Sequence, residues 1–345
     1  MTSEVALGGV LVVALILYFL LGGADFGGGV WDLLASGPRR GAQRAAIEHA
    51  IGPVWEPNHV WLILVVVVLF TGFPRAFAAL ATGLYVPLTL FLLGIVLRGS
   101  AFSFRSVEHG HGHGHGHGAV AVDAGVGRPA PRKAETWGRV FSVASVISPF
   151  LLGAMVATVA AGRATEMTGA AWISPFALAS GALALTLAAY LAATYLTVET
   201  SEPALRDDFR RRALGAGLAA GVWAAVALLL ARREAPLIFA GLTARPFTWP
   251  LHGATALTAV GALGMLVRRH FRLARILVAA QVALVIVGWA ASQYPALVPP
   301  ALTLTNAAAP ARTRQLLLIA LAAGAPVLIP SLWILYRVFK RSGRT

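Results

Sequence analysis

The sequence predicts an all-α polytopic membrane protein of about nine transmembrane helices, and three observations carry that prediction. Hydrophobic residues make up 58% of the 345 positions and charged residues only 12%, about half the charged share of a soluble domain. The apolar residues gather in nine runs, most of them near the ~20 residues that cross a ~30 Å hydrocarbon core. The basic residues fall between those runs in an alternating pattern, as the positive-inside rule requires of a multi-pass chain.

The first span, Val5–Gly23, has Glu4 but no Lys or Arg ahead of it. It lacks the basic start of a signal peptide and reads as a retained helix. The second is set by the run Val60–Phe73, which is too short to cross alone. It reaches full length only by recruiting Val54 to His59, which pulls a carboxylate and an imidazole to the membrane edge. The remaining spans are expected at Phe77–Leu97, Val140–Ala161, Trp172–Val198, Ala213–Ala231, Leu251–Val267, Leu273–Ser292 and Leu316–Phe339. Leu251–Val267 is the weakest, being short and rich in Ala, Thr and Gly.

One set of alternating loops holds 21 of the 28 Lys and Arg and the other set holds seven. That bias fits an odd number of spans, with the N-terminus outside and the C-terminus cytoplasmic. Residues 1–345 then form a single integral membrane domain. Its one long loop, 98–139, is cytoplasmic and carries a His/Gly tract at 109–118. Glycine at every second position there argues for a flexible segment. His109, His111, His113, His115 and His117 read as a low-complexity linker with incidental metal affinity, or as a weak metal site.

Composition also excludes. The net charge of +14 is membrane topology rather than a nucleic-acid surface, because the basic residues form no separate domain. The absence of cysteine removes disulfides, thiolate metal sites and covalent haem attachment. No Walker motif, dinucleotide fingerprint or soluble catalytic domain is present. A haem-binding span needs well-placed axial residues, and His59, Met155, Met265 and His252 make no convincing pair.

Several polar positions could carry chemistry, and each, His59 included, also has a bland reading as an ordinary helix-end residue. Asp25, in a glycine-rich segment, is expected near the cytoplasmic end of the first span. It is either an interfacial acid facing water or a functional group that the glycines let another helix approach. Glu56, followed by Pro57, suits a helix start and its dipole. Otherwise it is a proton acceptor at the mouth of an intramembrane path. His59 lies three residues on, on the same helix face, where a Glu–His pair relays protons. Arg98 and Arg105 mark a membrane edge, or Arg98 neutralises Asp25 or Glu56. Glu199 ends the fifth span at the same face, and His252 reads as a polar residue at the opposite end.

Six stretches resemble subunit II of the cytochrome bd-type quinol oxidases, including the cyanide-insensitive branch. Asp25-Phe26-Gly27-Gly28-Gly29 resembles the family's glycine-rich acidic segment. Trp55-Glu56-Pro57-Asn58-His59-Val60-Trp61-Leu62 is similar to its most specific signature. Arg98-Gly99 through Phe104-Arg105 is similar to its arginine segment, and Ser174-Pro175-Phe176, Ala193-Thr194-Tyr195-Leu196 and Pro299 to Asn306 resemble later landmarks.

The resemblance implies a haem-free subunit that stabilises a partner, subunit I, which carries haems b and d and oxidises quinol. It implies a cytoplasmic proton route through Glu56, Asp25 and His59, with Trp55, Asn58, Arg98 and Arg105 in support. This chain itself is then expected to hold no catalytic residue, no metal and no firmly bound cofactor, a structural quinone aside. Its partners are subunit I, membrane lipid and the quinol substrate, in a bacterial plasma membrane. The sequence departs from the family at Gly22, where many members have an acid, and at Glu199, where a basic residue is usual. The rival reading is an ion-coupled secondary transporter using the same acids.

Overall fold

The structure, a computed structural model, describes residues 2–51, 55–108, 132–166 and 168–341. The chain runs α1 (Ser3–Leu33), α2 (Arg40–Ile51), α3 (Trp55–Asn58), α4 (Val60–Gly72), α5 (Pro74–Gly83), α6 (Tyr85–Glu108) and α7 (Arg132–Ala160). It continues with α8 (Pro175–Glu199), α9 (Pro203–Glu234), α10 (Pro236–Thr243), α11 (Thr248–Val267), α12 (Phe271–Gln293), a short antiparallel hairpin of β1 (Ala296–Val298) and β2 (Leu302–Thr303), and α13 (Ala311–Arg341). Among the described residues, eight helices are long and apolar enough to cross a membrane, and the bent pair α4–α5 makes a ninth candidate. The all-α polytopic fold of the sequence reading is therefore the observed one.

Helix starts follow local chemistry. Pro175, Pro203, Pro236 and Pro74 each open a helix, where a missing N–H costs nothing and φ is already helical. Ahead of Pro175, the Ser174 hydroxyl accepts from the Ala177 N–H at 3.2 Å, a side-chain cap for an otherwise orphaned donor.

Several boundaries differ from expectation, and two of the differences have a clear physical reason. α1 runs unbroken to Leu33, ten residues past the expected end at Gly23. The glycines do not break it, because they serve close packing instead. A Cβ on Gly27 would collide with the Ala188 carbonyl of α8, and one on Gly29 would collide with the Ser145 side chain of α7. The second difference lies after α4, where Pro74 opens α5 at an angle of 117°. The third long helix consequently begins at Tyr85 rather than Phe77. At its other end α6 continues to Glu108, and α7 starts at Arg132. Both ends of the 98–139 stretch are thus helical, and the histidine tract lies outside the described residues.

α1 is the hub. It packs against α2, α4, α7, α8, α12 and α13. α8 is the second axis and packs on α1, α7, α9 and α12. Between apolar helices in lipid, contact is driven by close van der Waals fit, which small residues permit. α7 and α8 cross at Gly153 and Gly181, where an added Cβ would stand 2.5 Å from the Ser180 carbonyl and 2.8 Å from the Phe150 carbonyl. The face of α8 toward its neighbours is largely alanine, with Ala177, Ala184, Ala188 and Ala192 all buried. Outer surfaces are apolar too: Ile63 and Phe70 on α4, Leu92 and Val96 on α6, and Ile319 and Val327 on α13 are all exposed. The last helix is tied to the first by Arg314, which donates to Ser3 Oγ at 2.8 Å and lies 3.3 Å from Glu4.

Candidate functional site

Three helices converge on Asp25. It sits on α1 two turns before the helix end and is only 4% exposed. It is therefore inside the bundle, not an interfacial acid facing water. α3 ends at Asn58, itself 2% exposed, and the break before α4 aims its amide at α1. Asn58 Nδ2 donates to Asp25 Oδ2. Arg98 arrives from α6 and is 2% exposed. Its charge lies within electrostatic reach of Asp25, and a nearby opposite charge is the condition under which a buried acid is tolerated.

The approach of Arg98 is set one turn earlier. Gly94 lets α6 lie against α7, since a Cβ there would be 2.5 Å from Ser148 Oγ. One turn along, Arg98 Nε donates to Ser145 Oγ at 3.1 Å, and the Ser145 hydroxyl donates in turn to the Phe141 carbonyl at 2.7 Å. The guanidinium lies between two rings, 5.0 Å from the centroid of Phe26 and 5.2 Å from that of Phe141. Desolvated cation–π contacts of this kind are worth about 0.5–2 kcal/mol each.

His59 follows Asn58 at the start of α4. Its ring meets Tyr18 edge-on at 6.2 Å and Phe26 at 6.5 Å. Tyr18, one face-repeat before Asp25 on α1, is 1% exposed. Among the described residues neither its hydroxyl nor Arg98 Nη2 finds a hydrogen-bond partner. Asp25, Asn58, His59 and Arg98 thus lie in one cluster. The backbones of Trp55 and Glu56 lie in α3 and that of Arg105 in α6, but their side chains lie outside the described residues.

Glu199 does not join the cluster. It ends α8 and pairs with Arg275 of α12 at 3.5 Å, both half-exposed. The arginine from the next hairpin captures it, which a reading of depth alone could not show. His252 is exposed near the start of α11, with Nε2 2.8 Å from the Leu242 carbonyl. Met155 and Met265 sit in separate apolar clusters.

The sequence reading missed Asp32. It is 1% exposed, accepts from Ser142 Oγ at 2.8 Å, and has Arg44 Nε 3.7 Å away. Two signals in the sequence could have found it. Asp32 falls seven residues after Asp25, on the same helix face, and Ser142, Ser145 and Ser148 repeat every three residues along α7.

A bundle of apolar helices enclosing an acid, an amide and an arginine defines a multi-pass membrane subunit organised around a buried charged cluster. The chain belongs to the family described as cytochrome bd terminal oxidase subunit II, whose model matches residues 4–125 and 118–339. It is 30% identical over 155 residues to the cytochrome bd ubiquinol oxidase subunit 2 of Bacillus subtilis (strain 168), a match covering 44% of this chain and 39% of that protein. It is 28% identical over 235 residues to a probable cytochrome oxidase subunit 2 of Haemophilus influenzae, covering 62% of this chain and 55% of the relative. The chain therefore spans less than two thirds of either relative. A putative cytochrome bd menaquinol oxidase subunit II of Bacillus subtilis is matched over 93% of its length at 21% identity. The fold is shared with a chain of the bd oxidase from Geobacillus thermodenitrificans, with a TM-score of 0.76, 22% identity, and 98% and 99% of the two chains covered.

Proposed function

We propose that this chain is the haem-free second subunit of a quinol:oxygen oxidoreductase in a bacterial plasma membrane. In this reading a haem-bearing subunit I oxidises quinol and reduces O₂, and the present chain stabilises it and supplies protons. Reducing one O₂ to two waters takes four electrons, from two quinols, and four protons. If those protons come from the cytoplasm the reaction is electrogenic without a pump. The asymmetry of Lys and Arg supports placing the end of the bundle that carries Arg39, Arg44 and Arg98 on the cytoplasmic side.

The observation that carries the reading is the buried cluster of Asp25, Asn58 and Arg98, in a chain whose family is that of an oxidase subunit. A carboxylate inside a membrane bundle is costly and is by default functional. The buried donors on Arg98 and Tyr18 add polar groups of the kind that ordered water satisfies, and water joined to carboxylates is what conducts protons. Glu56, on the turn before Asn58, would receive protons from the surface, with His59 beside it. Haems b and d would belong to subunit I, and a quinone held by this chain would be structural.

The test is Glu56→Gln in the intact complex. Slower O₂ reduction with unchanged assembly and haem content is expected. A wild-type rate at every pH would remove Glu56 from the route. Purification from native membranes with a large haem-bearing partner, seen in the reduced-minus-oxidised spectrum, tests the complex itself. A colourless preparation without such a partner would favour an ion-coupled transporter.

A further inference from the structure

Asp32 is a second buried acid that the route through Asp25 and Glu56 does not use. It stands two turns further along α1, about 10 Å at 1.5 Å per residue, toward the end of the bundle where the basic residues gather. The two acids share one face of α1, and between them lies Gly29. Because Gly29 has no side chain, Ser145 of α7 fits against the bare backbone there. Ser142, one turn before Ser145, donates to Asp32 Oδ2 at 2.8 Å, while Ser145 accepts from Arg98 at 3.1 Å. Arg98 in turn lies within electrostatic reach of Asp25. Two linked groups of polar side chains thus lie along this face, Arg44–Asp32–Ser142 and Ser145–Arg98, one helical turn of α7 apart, with Asp25 and Asn58 beyond. The outermost member, Arg44, is 28% exposed and also donates to the Asp32 carbonyl at 3.3 Å.

The Ser142 hydroxyl has two acceptors within reach, Asp32 Oδ2 at 2.8 Å and the Gly138 carbonyl at 2.9 Å. One proton serves only one of them at a time. With Asp32 ionised, the hydroxyl donates to the carboxylate. With Asp32 protonated, the hydroxyl turns to Gly138 and accepts from the acid. Either state of Asp32 is hydrogen-bonded, so neither carries the cost of an unsatisfied buried group. The Gly138 carbonyl is the usual i−4 acceptor of a helical serine, as Phe141 is for Ser145 and Ala144 for Ser148, so the alternative partner is already in place when Asp32 changes state.

We propose that Asp32 is a proton-relay residue linking the Arg44 surface to the Asp25–Arg98 cluster along the serine face of α7. This rests on the proton-supply reading above. It adds a second way in, through this chain's own bundle, beside the one at Glu56.

The test measures proton uptake during a single oxygen pulse, with a pH-indicating dye, in the complex purified with its partner. Asp32→Asn keeps the shape and the Ser142 contact but cannot carry a proton. Uptake about tenfold slower is expected, below the 10²–10⁴-fold range of a group acting at the reacting atoms. Haem content should stay unchanged, and Asp32→Glu should restore the rate. If Asp32 is only a clamp, Asp32→Asn and Arg44→Gln lower thermal stability alike and leave uptake per assembled complex unchanged, which overturns the inference. Asp25→Asn is run in parallel. Uptake slowed by Asp25→Asn but not by Asp32→Asn overturns the relay and leaves the wider reading standing. Uptake slowed by neither removes both. Should Asp32→Asn fail to assemble, Ser142→Ala decides, with slowed uptake supporting the relay and wild-type uptake ending it.

Discussion

Replacing Arg98 by Met removes the cation from the cluster while keeping an unbranched chain between the Phe26 and Phe141 rings. Three contributions are lost. The hydrogen bond to Ser145 involves a charged donor, worth about 1.5–3 kcal/mol. The two ring contacts add about 0.5–2 kcal/mol each when desolvated. Asp25 is also left as a buried acid without its opposite charge. These terms overlap, and breaking a buried pair by removing one partner costs about 3–5 kcal/mol in total. Removing Asp25 as well, in Asp25→Asn/Arg98→Met, takes away the uncompensated charge and leaves Asn58 an amide partner. The double variant should then be more stable than Arg98→Met alone, and the two changes should couple by about 2 kcal/mol. The assay is unfolding of the purified complex by a denaturing detergent titrated into a mild one, followed by loss of the haem spectrum. Additive costs, or an Arg98→Met complex as stable as wild type, would refute the claim that these charges hold each other in place.

Other outcomes follow from the same geometry. Gly29→Val should block assembly, because its Cβ would occupy the space of Ser145 and stand 3.4 Å from the Phe141 ring. Gly215→Ala, on a stretch of α9 with nothing within 4 Å of the new methyl, should instead stabilise by about 0.5–1 kcal/mol. Assembled yield on a denaturant-free gel and unfolding midpoints read the two. Arg39→Ala removes an exposed pair with Asp208 at 2.7 Å, which holds the Arg39 guanidinium above its ordinary range. The unfolding midpoint should barely move at physiological salt.

Helix count and the Asp25 cluster were legible because both rest on cost. Apolar runs of membrane length are insoluble outside a bilayer, and acids beside them are expensive enough to demand a partner or a use. Asp32 was not legible because an acid just past an expected helix end looks like a boundary, and the end was placed at Gly23. That end follows from length alone, since about 20 residues suffice to cross a bilayer. Here Gly27 and Gly29 are what α8 and α7 pack against. Glu199 was misgrouped because depth in the membrane fixes one coordinate and leaves direction around the bundle open; Arg275 decides that direction. The bend after α4 was missed because Pro74 both ends one helix and opens the next, and hydropathy is blind to an angle.

The central position of α1 also has a meaning for biogenesis. Chains leave the ribosome N-terminus first, so the helix that ends at the middle of the bundle enters the bilayer before every helix it packs against. A lone Asp at the centre of an inserting helix costs about 2.5–3.5 kcal/mol; Asp25, two turns from the end of α1, costs less, and the apolar residues before it offset that. Asn58 reaches Asp25 with α3, but its cation comes only with α6, the serines only with α7, and the alanine face that seats Gly27 only with α8. α1 thus precedes all of its partners and settles only after them. A chain interrupted before α6 leaves Asp25 in lipid without Arg98, so unfinished products are held in the bilayer least securely.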